Sequence, residues 1–310
     1  MQFLYLVFLL ASLFLVIKSA DFAIRYSSRL AEDFRLPRYI VGFIIVAVIS
    51  MLPEAFISVT SALEGVPSLG LGTLFGSNVA DLTLVLALVV FIAGRNLKVE
   101  SSIIKNRYLY ICMMGLPIIF GLNGYYSRME GIALIICGLF FYSYILKNGC
   151  LKTYSESKKI SVSNMIMLVL SMAALLLGAH LVVKFGINLA DSFKINPVLI
   201  GMFVVGLGTT LPELFFSLKA VKRNHDCLAL GDILGTVIAD ATIVLGVVAA
   251  ISPFAFQRQI IFITGVFMLI SIVLLLYFMK SGRRLTKQEA FLLLLFYAIF
   301  VAAELLTHLQ

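Results

Sequence analysis

Long apolar runs separated by short polar stretches organise the whole chain. Ten runs stand out, at roughly 2–24, 38–63, 69–93, 107–122, 130–147, 163–185, 196–221, 227–251, 259–279 and 287–306. A run of about 20 apolar residues crosses about 30 Å of hydrocarbon as a helix. The pattern predicts an all-α membrane protein with ten transmembrane helices. The connections between runs are too short to hold a soluble domain. No Lys or Arg precedes the first run, so it reads as a helix and not as a signal peptide, which carries a basic leading region.

Polar residues interrupt the apolar pattern in two copies of one arrangement. The first is Gly42 to Glu54, ending Ser50-Met51-Leu52-Pro53-Glu54, followed by Gly72 to Asp81. The second is Gly201 to Glu213, ending Thr209-Thr210-Leu211-Pro212-Glu213, followed by Gly231 to Asp240. Glu54 and Glu213 are 159 residues apart, and so are Asp81 and Asp240. Roughly a third of positions agree over about fifty residues without a gap, and such repetition outranks every other sequence signal. The repeat divides the chain into a first five-helix half, 1–150, a linker, 151–162, and a second half, 163–310. The motifs occupy 39–93 and 198–252. Five is an odd number, so the second half enters the membrane from the opposite side. Inverted halves of this kind support alternating access.

Composition agrees with a bilayer solvent. The chain is 61% hydrophobic and 13% charged, with a mean hydropathy of +1.06. Its net charge of +8 is uneven: the odd-numbered loops hold 19 Lys and Arg, the even-numbered loops four. The positive-inside rule then puts odd loops in the cytoplasm and both termini outside, in a plasma or inner membrane. The basic residues are scattered over five short loops, which argues against a nucleic-acid partner. No GxxxxGK[ST] loop exists to hold a nucleotide. Cys112, Cys137, Cys150 and Cys227 have no CxxC spacing and read as small buried hydrophobes. No oligomeric state is encoded in any of these patterns.

Four carboxylates fall near the middle of apolar runs: Glu54, Asp81, Glu213 and Asp240. A charge at that depth costs about 2.5–3.5 kcal/mol, so each implies a function. A hydroxyl lies four residues before each of them: Ser50, Ser77, Thr209 and Thr236. Positions i and i+4 share a helix face. Each helix therefore offers a hydroxyl and a carboxylate one turn apart, the all-oxygen chemistry that hard cations prefer. No His or Cys joins them, which disfavours zinc and copper. Pro53 and Pro212 free the carbonyls of Ile49 and Gly208, and broken helices beside acids are the form of a midplane ion site. Gly72, Gly76, Gly231 and Gly235 are spaced for close helix approach. Asp21 and His180 occupy matching positions as interface or gate residues, and Glu304 is expected at the outer surface.

With these residues in view, the chain resembles the calcium/cation antiporter superfamily, most of all its prokaryotic sodium/calcium exchanger branch. Gly208-Thr209-Thr210-Leu211-Pro212-Glu213 and the paired repeats carry the resemblance over nearly the whole chain. It implies Glu54 and Glu213 as principal Ca²⁺ ligands, helped by Ser50 and Thr209. Asp81, Asp240, Ser77, Thr210 and Thr236 would complete flanking Na⁺ or proton sites, with carbonyls near Ala47 and Gly206. The first and sixth helices would slide as gates. The resemblance implies no enzyme activity and no cofactor; the transported ions are Ca²⁺ and Na⁺ or H⁺. Three departures stand out. Met51 replaces a hydroxyl, Asp81 stands where Asn is frequent, and the usual Gly-Asn opening is Gly72-Thr73 in one copy and Gly231-Asp232 in the other. Four ionised carboxylates around one Ca²⁺ leave a net charge of −2, so the departures suggest that protons replace some sodium. Rival readings are a proton-coupled exchanger, another divalent ion, a cation channel, which needs a continuous pore, and an intramembrane metal hydrolase, for which no HExxH exists.

Overall fold

The computed structural model describes residues 2–33, 38–63, 67–149, 161–192, 208 and 210–308. Among the described residues the apolar runs lie in helices, which include α1 (Gln2–Asp33), α2 (Leu52–Leu63), α3 (Pro67–Ala80), α4 (Arg107–Gly121), α5 (Arg128–Gly149), α6 (Val162–Ser192), α7 (Leu211–Lys222), α8 (Asp226–Ala239), α9 (Val266–Lys280) and α10 (Lys287–His308). Among the described residues, six helices are long and apolar enough to cross a bilayer: Tyr5–Leu30, Gly70–Ala93, Arg128–Lys147, Asp226–Ile251, Arg258–Lys280 and Lys287–Leu306. Others are shorter for visible reasons. The run at 38–63 breaks at the turn residue Met51, and much of 196–221 lies outside the described residues.

α1 outlasts its expected end at residue 24 because residues 25–33 keep a helical alternation. Ala23, Ile24, Ser27 and Leu30 are buried while Arg25 and Arg29 point outward. Asp21, on the polar side, forms ion pairs with Lys219 (3.3 Å) and Arg223 (3.0 Å) at the end of α7. α1 packs along α6, and both touch α7.

The same local signals start and stop corresponding elements in the two copies. Ser127 and Glu130 form a capping box at α5, and Thr286 and Glu289 form another at α10, 159 residues later. In each box the hydroxyl and carboxylate satisfy backbone N–H groups that the first helical turn leaves free. Gly94, at φ +70°, ends the helix Leu86–Ala93 in the left-handed conformation and bonds to Val90 and Phe91.

An all-α reading does not anticipate four two-residue strands. β1 (Leu97–Lys98) pairs with β4 (Arg284–Leu285), and β2 (Tyr125–Tyr126) with β3 (Phe254–Ala255), both antiparallel. Each ladder joins one half of the chain to the other. A bidentate pair between Arg95 and Asp226 (2.6 and 2.7 Å), with the Lys98 N–H also donating to Asp226, fastens the start of α8 to the β1 loop.

Close backbone packing brings the site helices together. A Cβ built on Gly231 would lie 2.3 Å from the Tyr39 carbonyl oxygen, and one on Gly235 would lie 2.4 Å from that of Phe43. α8 is thus seated on the segment Val41–Ser50, as its small-residue spacing predicts. Gly72 and Gly76 have no such neighbour among the described residues. The segment corresponding to Val41–Ser50 in the second copy, 200–209, lies largely outside them. Of the cysteines, Cys112 is exposed, contrary to its expected burial, because it faces outward on α4. Cys150 lies outside the described residues.

Gly231→Ala must push two backbones apart and is expected to cost about 1–3 kcal/mol. Gly115→Ala, whose Cβ would meet only Leu269 Cδ1 at 4.0 Å, is expected to be neutral or stabilising. Thermal melts of the two variants in detergent check the contrast.

Candidate functional site

The site is built where two helices change pitch. α3 runs into a π turn, Asp81–Val85, before continuing as Leu86–Ala93; α8 runs into Asp240–Val244 and continues as Leu245–Ile251. Each turn begins at a carboxylate. A π turn carries one extra residue and re-aims the side chains at its head, and such turns concentrate at functional sites. Thr83 and Thr242 sit in matching places and donate to the carbonyls of Val79 and Ile238. The Asp240 turn packs on α2 and α3 of the first copy, and the Asp81 turn packs on α7 and α8 of the second. The acids of one half therefore meet the helices of the other.

Five carboxylates occupy this crossing. Glu54 and Asp81 are 1% exposed, and Glu213, Asp232 and Asp240 are fully buried. The elements that carry them pack against one another, which brings like charges together in a low-dielectric interior. No Lys or Arg is buried among the described residues. Both carboxylate oxygens of Glu213 and Asp240, one each of Asp81 and Asp232, and Thr236 Oγ1 are buried without a hydrogen-bond partner among those residues. Burying charge without a partner costs several kcal/mol per group. A cation is the simplest group that removes the cost for several oxygens together.

The hydroxyls behave differently from one another. Ser50 is fully buried and donates to Asp232 Oδ1 at 3.0 Å. Ser77, buried at 5% exposure, donates back to the Leu74 carbonyl. Thr210 is buried at the N-cap of α7, just before Pro212 and Glu213. Thr209 and Gly206 lie outside the described residues. Met51 occupies the turn between Ala47–Ser50 and α2, half-buried, and its side chain brings no oxygen. Among the described residues no three acidic, His or Cys side chains form a compact metal cage. An oxygen shell at this site has to draw on hydroxyls and backbone carbonyls as well as carboxylates, as a hard cation accepts.

Two residues absent from the sequence-derived site belong to this neighbourhood. Asp232 departs from the usual Gly-Asn opening, but its burial one helical turn before Thr236 was legible as an acid inside an apolar run. Tyr142 on α5 donates to the Gly235 carbonyl at 2.6 Å, and α5 packs on the Asp240 turn. A tyrosine in an apolar helix gave no signal of this. Asp21 is the ion-paired residue described above, and His180 is exposed. Glu304, near the end of α10, is half-buried and accepts a hydrogen bond from Thr264.

Comparison with known proteins places this chain in a family. The sodium/calcium exchanger protein family matches residues 4–147 and 163–306. A putative antiporter, CaxA, from Alkalimonas amylolytica is 30% identical over 80% of this chain and 81% of its own length. The sodium/calcium exchanger MaX1 from Methanosarcina acetivorans is 25% identical, covering 96% of this chain and 97% of its own. A structure of the sodium-calcium exchanger NCX_Mj, soaked with 10 mM Na⁺ and zero Ca²⁺, superposes with a TM-score of 0.87 at 26% identity. The match covers 97% of this chain and 99% of that one.

Occupancy of the carboxylates is expected to appear in stability. At a free Ca²⁺ concentration 100 times Kd, binding should stabilise the wild-type fold by about 2.7 kcal/mol. Glu213→Gln should melt higher than wild type without divalent ions, because one buried charge is gone, and should lose the Ca²⁺-dependent rise. Thermal shift in detergent with and without Ca²⁺ measures both. An unchanged rise in the variant would remove Glu213 from the site.

Proposed function

We infer the function of this chain from one premise: it belongs to the sodium/calcium exchanger protein family. It is therefore a membrane transporter and not an enzyme. We propose that it is a secondary antiporter that exports cytoplasmic Ca²⁺ in exchange for Na⁺. The observation that carries this reading is a buried set of five carboxylates with no buried base among the described residues. Ca²⁺ and the coupling ion need the same oxygens, so binding of one excludes the other, and that competition is the exchange.

In this reading ten helices form two five-helix halves, 1–150 and 163–310, inserted in opposite senses around the site. The constant offset of 159 between matching helices, π turns and capping boxes supports it. Glu54 and Glu213 bind the divalent ion with Ser50 and Thr209. Asp81, Asp240, Ser77, Thr210 and Thr236 serve the coupling ions. The long paired helices α1 and α6 act as the moving gate. The charge asymmetry of the loops supports both termini outside, in a plasma or inner membrane.

The coupling ion is open to a second reading. Five ionised carboxylates around one Ca²⁺ leave a net charge of −3, which hydrocarbon penalises strongly. Met51 removes an oxygen from a sodium position, and Asp81 and Asp232 add charge where amides are usual. These residues favour protons in place of some sodium ions, and CaxA is described as a putative antiporter without a named ion.

Ca²⁺ uptake into proteoliposomes, driven separately by outward Na⁺ and outward H⁺ gradients, tests the proposal. Uptake is expected under at least one gradient and is expected to vanish in Glu54→Gln and Glu213→Gln. Absence of uptake under both, in folded protein, would overturn Ca²⁺ antiport. Restoring the usual residues with Met51→Ser and Asp81→Asn is expected to increase Na⁺ dependence. If neither variant alters it, these positions do not set the coupling ion.

A further inference from the structure

Hydroxyls on the apolar helices of this protein mostly fold back on their own helix. Ser12, Thr83, Ser143, Thr242 and Ser271 each donate to the carbonyl four residues earlier. This is the default for Ser and Thr in a helix, where the nearest acceptor is the preceding turn. Ser50 departs from it. Its hydroxyl crosses to Oδ1 of Asp232 on α8, 182 residues away in sequence, and both side chains are fully buried. A hydroxyl has one proton and two lone pairs. With the proton committed to Asp232, Ser50 can only accept from, or coordinate, whatever else approaches it.

The second oxygen of Asp232 is just as buried and has no hydrogen-bond partner among the described residues. α8 packs on α7 and on the Asp81 turn, and Tyr142 donates to the Gly235 carbonyl three residues after Asp232, so Asp232 belongs to the same neighbourhood as the transport carboxylates. The two copies differ at this point. Position 51 is Met where its counterpart is Thr210, and position 232 is Asp where its counterpart is Thr73. The first copy lacks an oxygen at residue 51, and the second sends a carboxylate to residue 50, its neighbour.

Resting on the antiporter reading above, we propose that Asp232 is part of the cation site. Its Oδ1 holds Ser50 as a lone-pair donor to the ion, and its Oδ2 is an additional ligand that replaces the oxygen missing at Met51. The carboxylate thus acts both as a positioning group and as a ligand, and it gives this chain a more acidic divalent site than the usual Asn would.

The test uses the full chain, as wild type and as Asp232→Asn, Asp232→Ala, Ser50→Ala and the Asp232→Ala/Ser50→Ala pair. Ca²⁺ binding is measured by calorimetry in detergent and Ca²⁺ uptake in proteoliposomes, with size-exclusion profiles as the folding check. Asp232→Asn keeps the shape and an acceptor for Ser50 but loses the charge. It is expected to weaken Ca²⁺ binding and raise the apparent KM by ~10-fold or more, with the maximal rate changed far less. Ser50→Ala is expected to cost affinity in the wild-type background and much less beside Asp232→Ala, because the two act through one bond. Ca²⁺ affinity within about twofold of wild type in Asp232→Asn, or additive losses in the pair, overturns the proposal. Should Asp232→Ala fail to fold, the nearly isosteric Asp232→Asn decides alone. Wild-type protein that neither binds nor transports Ca²⁺ sinks the antiporter reading itself. Active wild type with an indifferent Asp232→Asn sinks only the role given to Asp232.

Discussion

Negative charge held in a low-dielectric interior without a neutralising base is the constraint around which this structure is arranged. Five carboxylates are buried at the crossing of α2, α3, α7 and α8, and no Lys or Arg is buried among the described residues. Such a cluster opposes its own assembly. It is held by features that lie away from the carboxylates themselves. Gly231 and Gly235 let α8 touch the backbone of Val41–Ser50, two short ladders tie the halves together, and Asp226 anchors α8 to Arg95. Stability is thus spent at the centre and recovered at the periphery, in apolar packing and at the polar ends of the helices.

The two copies use one plan without being equivalent. Both place a carboxylate at the head of a π turn and a Leu-Pro-Glu at a helix start. They differ in the oxygens between: Met51 against Thr210, Thr73 against Asp232, Ser77 against Thr236. Asp232 on α8 reaches Ser50 of the first copy, so the differences on the two sides of the crossing fall beside one another. An asymmetric shell can offer a divalent ion and a monovalent ion different subsets of the same oxygens. A strictly symmetric one would offer each ion two equal places.

Much of this was legible in the residues. Apolar length announced the helices, and the offset of 159 announced the pairing of Glu54 with Glu213 and Asp81 with Asp240. The capping boxes at Ser127 and Thr286 were readable as S/T-x-x-E before an apolar run. Other features were not. A π turn is an adjustment of one residue inside a continuous helix, and Asp81-Leu82-Thr83 has no composition that distinguishes it from an α turn. The extension of α1 to Asp33 was hidden because hydropathy falls where the helix becomes amphipathic. The bond from Ser50 to Asp232 depends on tertiary packing, which places two distant residues face to face, and helical spacing alone had grouped Ser50 with Glu54.

The uncompensated charge also bears on why such a carrier would exchange ions and not leak them. In the proposed cycle the site must be closed off from water on one side before it opens on the other. An empty site would carry the negative charge of every carboxylate that stays ionised through that closed state. At about 2.5–3.5 kcal/mol for one exposed charge at the bilayer centre, and about 1.4 kcal/mol per factor of ten, even one uncompensated carboxylate slows the empty transit by about a hundredfold. In that cycle Ca²⁺, or the coupling ions that displace it, would lower the barrier by offsetting part of the negative charge. In the proposed cycle, obligatory exchange would need no separate lock on the gate. On this reading it would follow from the lack of a buried Lys or Arg among the described residues, and a Lys introduced beside Asp240 or Glu213 would remove the penalty that keeps the unloaded carrier from crossing.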